Sequence, residues 1–136
     1  MFLRDIMQKE IITLSPEASI REAAKKMRDH KIGFLLVVND GALRGCLTDR
    51  DLTLCIAEGK DFDKVTVGSI MQKNVVFATP DTDVYEATRL MAEKKVRRLP
   101  IIQNRSLIGL VTISDLASVI EEEVDNFLHV EEVYAH

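Results

Sequence analysis

Apolar runs and helical periodicity alternate along the first half of the chain. Residues 34–38 are apolar throughout, which predicts a strand buried on both faces. Asn39-Asp40-Gly41 is a turn signal, so residues 43–47 should return as the hairpin partner of that strand. Residues 10–14 form a shorter β-rich run that stops at a Ser-Pro pair, and they predict a third strand.

Two helices are predicted around these strands. Ser19 and Glu22 have the spacing of a capping box, and apolar residues follow them at helical spacing. A second helix is predicted over about residues 49–58, with Gly59 placed to end it. The order of elements is therefore strand, helix, strand, strand, helix.

The second half of the chain predicts the same order of elements. One helix should begin at the cap Asp83, and another at about Ser114. The acidic tail, residues 121–136, is expected to extend the last helix and to contact a second chain. Strands are expected at residues 75–78, 99–102 and 107–111.

The order recurs because the chain is duplicated. Ile6-Met7-Gln8-Lys9 returns as Ile70-Met71-Gln72-Lys73, and the same offset pairs later residues without a gap. One copy has roughly half the residues that a stable core needs, so the two should pack their sheets together, with a cleft on each side. The prediction is an α/β (α+β) fold of two β-α-β-β-α repeats with pseudo-twofold symmetry, divided into domains 1–60 and 61–136.

Composition and charge exclude several partners. The 136 residues carry a net charge of −4 with no basic stripe, so nucleic acid is an unlikely partner in a chain that lacks clustered cations. No apolar run reaches the roughly 20 residues that span a bilayer, which predicts no membrane partner. Charges at Arg4 and Asp5 interrupt any signal-peptide core, so we expect a cytoplasmic protein.

The reactive side chains do not form a catalytic or metal-binding pattern. Cys46 and Cys55 lie in apolar surroundings and are predicted to be free thiols. His30, His129 and His136 are scattered, so no metal site is predicted. Without a Cys-His or Ser-His pairing or a P-loop, the sequence predicts no enzyme and no obligatory cofactor.

Both copies end in the pattern Gly-x-hydrophobic-Thr-x-x-Asp. A strand ends at the Thr and a helix starts there, so free N–H groups and the helix dipole favour an anion such as phosphate. The Thr hydroxyl can add a donor, the Asp can accept from both ribose hydroxyls, and the Gly leaves room for a ligand or a tight turn. A plain helix N-cap explains the same residues. The residues are Gly45, Thr48 and Asp51 in the first copy and Gly109, Thr112 and Asp115 in the second.

Together, the repeated Ile-Met, the Pro before each first helix and the duplicated motif resemble a tandem cystathionine-β-synthase (CBS) domain pair, or Bateman module. The resemblance covers about residues 3–120 and is to small stand-alone prokaryotic members. It implies a non-catalytic sensory module that binds AMP, ADP or ATP in clefts between the repeats. It also implies a homodimer that acts on an unidentified effector protein.

The resemblance also implies further contacts with an adenine nucleotide. Arg97 and Arg98 stand where family members that bind AMP meet the phosphate, although a solvated pair is the alternative. Arg50, beside the motif Asp, could reach a phosphate or form an ion pair with Asp49 or Glu58. Ser114 lies at the matching helix start. Backbone groups expected to read the adenine edge are those of Ile12, Thr13, Leu14, Val76, Phe77 and Ala78.

Alternatives stay open at this point. S-adenosylmethionine or NAD could replace the nucleotide, and a ligand-free dimeric adaptor is a third possibility. The first copy has Gly33 and Phe34 where the second has Arg97 and Arg98. We therefore expect the clefts to differ in affinity, or one of them to prefer a ligand with less phosphate.

Overall fold

The computed structural model describes residues 1–134 and divides into two compact units. The Asp51 unit contains Glu10–Val75 and Gln103–Leu107, and the Asp115 unit contains Met1–Lys9, Val76–Ile102 and the chain from Ile108 onward. Each unit combines strands and helices, so the mixed α and β fold class is confirmed.

The Asp51 unit contains a three-stranded sheet in the order β1-β2-β3. Strand β1 runs parallel to β2, and β2 runs antiparallel to β3. Ser19 caps α1 by accepting the backbone N–H of Glu22 at 3.1 Å. The elements are β1 (Thr13–Leu14), α1 (Ile20–His30), β2 (Phe34–Asn39), β3 (Ala42–Thr48), α2 (Asp49–Ala57) and α3 (Val67–Ile70).

Two turns of the Asp51 unit follow the local sequence. Asp40 and Gly41 both have positive φ, 51° and 79°, as the two central residues of a type I′ hairpin require. Helix α2 ends at Ala57, and Gly59 follows with a φ of 71°. The hairpin and the glycine stop predicted from the sequence are thus confirmed.

The Asp115 unit contains the remaining elements. Helix α5 runs without a break through the acidic tail to Tyr134, as predicted, while His136 lies outside the described residues. Asp83 caps α4 by accepting the N–H of Tyr85 at 2.8 Å. The elements are a 3₁₀ turn (Leu3–Asp5), α4 (Val84–Lys94), β4 (Arg98–Gln103), β5 (Ser106–Thr112) and α5 (Ile113–Tyr134).

The strand predicted at residues 75–78 does not form, and the one predicted at 10–14 is reduced to Thr13–Leu14. In the Asp51 unit, Thr13 and Leu14 pair with Leu36 and Val37. In the Asp115 unit only Ala78 makes a bridge, to Ile101. Pro100 stands at the position of Leu36 and has no N–H, so the second half of the parallel pairing is lost.

The segment that opens each repeat packs in the unit named for the other repeat. Leu3 is fully buried in the core of the Asp115 unit, and its N–H donates to the carbonyl of Thr82 at 2.9 Å. Val67 is fully buried in the Asp51 unit, and its N–H donates to the carbonyl of Ala18 at 2.8 Å. The boundaries 1–60 and 61–136 therefore describe the sequence repeats, and as domain limits they stay a prediction.

Candidate functional site

The Asp51 site is built around the start of helix α2. Thr48 is the last residue of β3 and the N-cap of α2. Its backbone N–H donates to Asp51 Oδ2 at 2.8 Å, and the Asp51 N–H donates to Thr48 Oγ1 at 3.3 Å. This reciprocal capping box fixes the Asp51 carboxylate at the positive end of the helix.

The Asp115 site repeats this arrangement at the start of α5. The Thr112 N–H donates to Asp115 Oδ2 at 2.9 Å, and the Asp115 N–H donates to Thr112 Oγ1 at 3.2 Å. The N-cap interpretation of the Thr-x-x-Asp motif is therefore confirmed in both copies. Because capping occupies mainly Oδ2, each carboxylate keeps acceptor capacity at Oδ1.

Each carboxylate has a second partner that the sequence interpretation missed. Gln72 Nε2 lies 3.3 and 3.2 Å from the two carboxylate oxygens of Asp51. Gln8 Nε2 lies 3.4 and 3.1 Å from those of Asp115. Both glutamines follow the repeated Ile-Met pair. Their recurrence at the shared offset is the sequence feature that could have identified them as site residues.

The motif glycines make room for the segments that carry these glutamines. A Cβ on Gly45 would lie 2.6 Å from the backbone oxygen of Gln72. A Cβ on Gly109 would lie 2.9 Å from Met7 Cγ. The expectation that these glycines leave space for a ligand or a turn is thus corrected, because the space is already filled by the protein.

Backbone bridges hold the same segments against the motif strands. Gln72 exchanges two 2.9 Å hydrogen bonds with Cys46 of β3, and Gln8 exchanges bonds of 2.8 and 2.9 Å with Leu110 of β5. The main chain of each glutamine is therefore fixed, whereas its side chain reaches the Asp from an exposed position.

Arg97 lies beside the start of α5. Its carbonyl accepts the N–H of Ile113 at 2.8 Å, and both Arg97 and Arg98 are exposed. Ser114, the second residue of α5, is exposed as well. The structure thus brings the backbone of Arg97 to the same helix end as Thr112 and Asp115.

The corresponding position of the Asp51 site has different chemistry. The carbonyl of Gly33 accepts the N–H of Asp49 at 3.0 Å, and a Cβ on Gly33 would lie 2.8 Å from Asp49 Oδ2. Asp49 Oδ1 also accepts the backbone N–H of Arg50 at 2.8 Å. A carboxylate of the protein therefore occupies the helix end that an anionic ligand group would need.

Arg50 is exposed on the first turn of α2. The structure tests in part whether it forms an ion pair with Asp49 or Glu58. Glu58 lies 3.4 Å from the ammonium of Lys60. Asp49 meets Arg50 through the backbone N–H of the arginine. The role of Arg50 at a phosphate stays a prediction.

Several backbone groups expected to read adenine are already engaged. The Ala78 N–H donates to the carbonyl of Pro100 at 3.0 Å, and its carbonyl accepts from Ile102 at 2.9 Å. Thr13 and Leu14 belong to β1, next to Ile12, and the Thr13 carbonyl accepts from the ammonium of Lys26. The contacts with adenine thus stay a prediction. Ala78 is the least available of these residues for such a contact, because its N–H and its carbonyl are both already hydrogen-bonded.

Phe77 and Ala78 line an open groove of about 510 Å³ against α4, whereas Val76 packs partly buried against the core of the same unit. The lining of the groove does not include Thr112 or Asp115. The structure therefore places Phe77 and Ala78 in one groove and the motif residues at the start of α5, without joining them. The other lining residues are Thr79, Thr82, Glu86, Arg89, Leu90 and Glu93.

The two cysteines are free and buried, as predicted. Burial raises the pKa of the Cys46 thiol, and the nearby Asp51 carboxylate raises it further. Cys46 borders the Asp51 site, and Leu110 stands at its position in the Asp115 unit. The thiol therefore stays protonated at neutral pH and contributes as an apolar side chain.

Residues 1–134, which the structure describes, contain neither a candidate metal-binding cluster nor a candidate membrane-spanning helix. In this part of the chain no group of three His, Cys, Asp or Glu side chains could hold a metal ion. Over the same residues no helix is both long enough and apolar enough to cross a membrane.

Comparison with known proteins gives matches over most of the chain. The family model of the CBS domain matches twice, over residues 3–58 and 67–122. The CBS domain-containing protein YhcV of Bacillus subtilis is 39% identical over 116 residues, which cover 85% of this chain and 82% of YhcV.

Solved structures match with similar coverage. The crystal structure of Hypoxic Response Protein I with two coordinated zinc ions has a TM-score of 0.78 and 32% identity, and the match covers 87% of this chain and 98% of that one. The CBS domain pair of protein MJ0100, in complex with 5′-methylthioadenosine and S-adenosyl-L-methionine, has a TM-score of 0.77 and 30% identity. That match covers 90% of this chain and 98% of the other.

Proposed function

The chain belongs to the CBS domain family, and we propose that it is a non-catalytic regulatory module whose ligand contains adenosine. The family resemblance inferred from the sequence is thereby confirmed. A neighbour of the same fold was solved with adenosyl ligands, which supports adenosine as the shared part of the ligand. The ligand acts as a regulatory signal, and no obligatory cofactor is proposed.

The observation that carries this proposal is the carboxylate at each helix start. Asp51 and Asp115 are each held by the N–H of the preceding Thr, at 2.8 and 2.9 Å. Each carboxylate is partly exposed and retains acceptor capacity. A vicinal diol such as that of ribose matches this geometry because it brings two adjacent donors to two acceptor oxygens.

The Asp115 site is the proposed site for a phosphorylated ligand. Arg97 and Arg98 supply positive charge at the start of α5, where the helix dipole adds to it. Thr112 and Ser114 offer hydroxyls at the same place. AMP, ADP and ATP are therefore the leading ligands for this site, and NAD is an alternative because it also carries phosphate.

The Asp51 site favours a ligand with little or no phosphate. Asp49 places a second carboxylate at that helix start, and Gly33 brings no compensating cation. An adenosyl ligand with an uncharged or cationic 5′ substituent, such as S-adenosylmethionine, suits this charge. Arg50 remains the only motif cation there, and its reach to a phosphate is part of the proposal.

Regulation requires that the ligand favour one of two states of the protein. A second copy of the chain and an effector protein are the proposed recipients of that change. Exposed apolar side chains on the last part of α5 support a protein contact there, because within the described residues about half or more of each side chain stays open to solvent. They are Val124, Phe127, Leu128 and Val130, with exposed fractions of 50%, 67%, 54% and 53%. A cytoplasmic location remains a prediction from the sequence.

Thermal-shift measurement of nucleotide-free protein tests the proposal. AMP, ADP, ATP, NAD and S-adenosylmethionine are added to the wild type, Asp51→Asn, Asp115→Asn and the control Asp125→Asn, an exposed acid further along α5. Asn keeps an acceptor for the Thr N–H but lacks the second carboxylate oxygen. At a hundredfold excess over Kd a ligand adds about 2.7 kcal/mol, which raises Tm by several degrees.

The expected result is a shift in the wild type and the control that is lost in one or both site variants. AMP shifts should depend on Asp115, and S-adenosylmethionine shifts on Asp51. No shift with any ligand would contradict the proposal and favour the alternative, a ligand-free dimeric adaptor.

A further inference from the structure

Gln8 and Gln72 occupy the two candidate sites in the same way. Each amide nitrogen contacts both oxygens of one carboxylate, at 3.4 and 3.1 Å on Asp115 and at 3.3 and 3.2 Å on Asp51. The arrangement recurs in two units whose glutamines are 107 and 21 residues from their partners along the chain. Recurrence of one contact in both copies of the repeat indicates a feature of the site.

The amide lies where a ribose diol would have to donate. Nearly equal distances to two oxygens place the amide nitrogen close to the line that bisects the carboxylate. A diol that donates one hydroxyl to each oxygen needs the same space in front of the group. Because the Thr N–H already takes Oδ2, the Gln amide and a diol compete for the remaining acceptor sites.

The glutamine can leave this position without disturbing the fold. Its main chain stays fixed by the bridges to Leu110 or Cys46, while its side chain is exposed and can rotate into water. The donor distances, 3.1 to 3.4 Å, are long for hydrogen bonds to a charged acceptor. The contact is therefore weak enough for a ligand to displace it.

We propose that Gln8 and Gln72 are built-in competitors of the ribose diol, which satisfy each Asp in the empty site and are displaced when ligand binds. This inference rests on the proposed function. Each glutamine sets an affinity threshold for its own site.

Isothermal titration with AMP on single-site proteins tests the inference. Gln8→Leu is made in an Asp51→Asn background, so that only the Asp115 site keeps its carboxylate. Leu preserves the bulk of the side chain and removes the donor. Gln103→Leu is the matched control, because Gln103 is an exposed glutamine at the end of β4. Removing the competitor should lower the Kd for AMP about threefold to tenfold, or about 0.7–1.4 kcal/mol, and Gln103→Leu should leave it unchanged.

The same series separates failure of this inference from failure of the proposed function. An unchanged or higher Kd in Gln8→Leu, with binding still lost in Asp115→Asn, would contradict the proposal that Gln8 competes with the diol. It would indicate that Gln8 orients the Asp115 carboxylate. Absence of AMP binding in every protein would overturn the proposed function together with this inference.

Two further readouts distinguish competition from a merely structural role. The side-chain amide resonances of Gln8 in ¹⁵N-labelled protein should move to the positions of solvent-exposed glutamines as AMP saturates the site, and resonances that stay in place would contradict displacement. The Kd for adenosine, which carries the same diol, should fall in Gln8→Leu by about the same factor as the Kd for AMP. A change confined to AMP would contradict competition at the diol.

Discussion

The Asp51 site and the Asp115 site place the same three groups around a helix start but surround them with different charges. In each, a Thr N–H and a Gln amide meet one carboxylate. At the Asp51 site the helix opens with Asp49 and Arg50 opposite Gly33. At the Asp115 site it opens with Ile113 and Ser114 opposite Arg97.

The comparison shows which features of the site both copies keep and which features differ between them. The capping box and the Gln contact depend on backbone positions, and both copies keep them. The formal charge of the nearby groups is −1 from Asp49, Arg50 and Asp51, and it is +1 from Arg97, Arg98 and Asp115. The charge around the site can therefore diverge by a few exposed substitutions while the carboxylates proposed to bind the diol stay the same.

The largest expected effect concerns the close packing of the motif glycines. Gly45→Ala should cost about 1–3 kcal/mol, because the new Cβ meets the Gln72 backbone oxygen at 2.6 Å. Gly109→Ala should cost about 1 kcal/mol or less, since the new Cβ meets the flexible side chain of Met7. Urea unfolding measures both, and an equal or larger cost at Gly109 would contradict the comparison.

Exchange of residues between the sites should alter their preference for phosphate. Arg97→Gly with Ile113→Asp gives the Asp115 site the residues of the Asp51 site. AMP affinity there should fall about tenfold or more, as loss of a hydrogen bond to a charged group predicts, and adenosine affinity should change little. Titration calorimetry gives the ratio of the two Kd values.

Arg105→Gly is the matched control for the arginine part of this exchange, and Arg97→Gly alone is compared with it. Arg105 is an exposed turn residue with a φ of 68°, which glycine adopts without strain, and the change also removes one positive charge. An equal loss of AMP affinity in the control would show that the effect comes from net charge and not from the residues at the helix start.

Added salt should weaken phosphate binding at the Asp115 site more than adenosine binding. The Debye length falls from about 10 Å at 0.1 M to about 3 Å at 1 M ionic strength, so the attraction by exposed Arg97 and Arg98 is largely screened. We expect the Kd for AMP to rise several-fold in this range. Salt sensitivity equal to that of adenosine would show that the arginines do not contribute.

The smallest expected effect concerns Cys46, which only the Asp51 site has beside it. Burial and the Asp51 carboxylate raise its pKa, so less reactive thiolate is present at any given pH. The pH profile of its alkylation should therefore lie at higher pH than that of an exposed cysteine. Asp51→Asn removes the charge, lowers the pKa and should speed alkylation about twofold to threefold at pH 8.

Peptide-resolved mass spectrometry measures this effect. Trypsin separates Cys46 from Cys55, because Arg50 lies between them in the sequence. The rate at Cys55 serves as an internal control for general loosening of the protein. An equal increase in the alkylation rate of both cysteines would indicate general loosening of the protein and would contradict the electrostatic effect.

Much of each site could be predicted because its contacts are local in sequence. Thr48 and Asp51 are three residues apart, and Thr112 and Asp115 repeat the spacing, so strand-end and helix-cap chemistry identifies them. The positive φ at Asp40 and Gly41 likewise follows from short-range turn chemistry. Phe77 and Ala78 illustrate the limit, since they line a separate groove that no local pattern indicates.

Long-range contacts could not be read in the same way. Gln8 has no local feature that assigns it to Asp115, and recurrence of the Ile-Met-Gln segment indicates duplication and family without identifying that partner. The absence of the strand at residues 75–78 depends on the partner strand, because Pro100 lacks the donor that Leu36 has. Both features depend on which distant segments of the chain pack against each other.

The sequence by itself determined the duplication, the order of elements, the helix caps and the family, since these depend on the spacing of neighbouring residues. Only the tertiary structure decided that the motif glycines face Met7 and Gln72 and that each Asp is shared with a distant glutamine. The physical reason is that these contacts form when segments far apart in the chain pack closely, and their distances follow from packing and not from local preference.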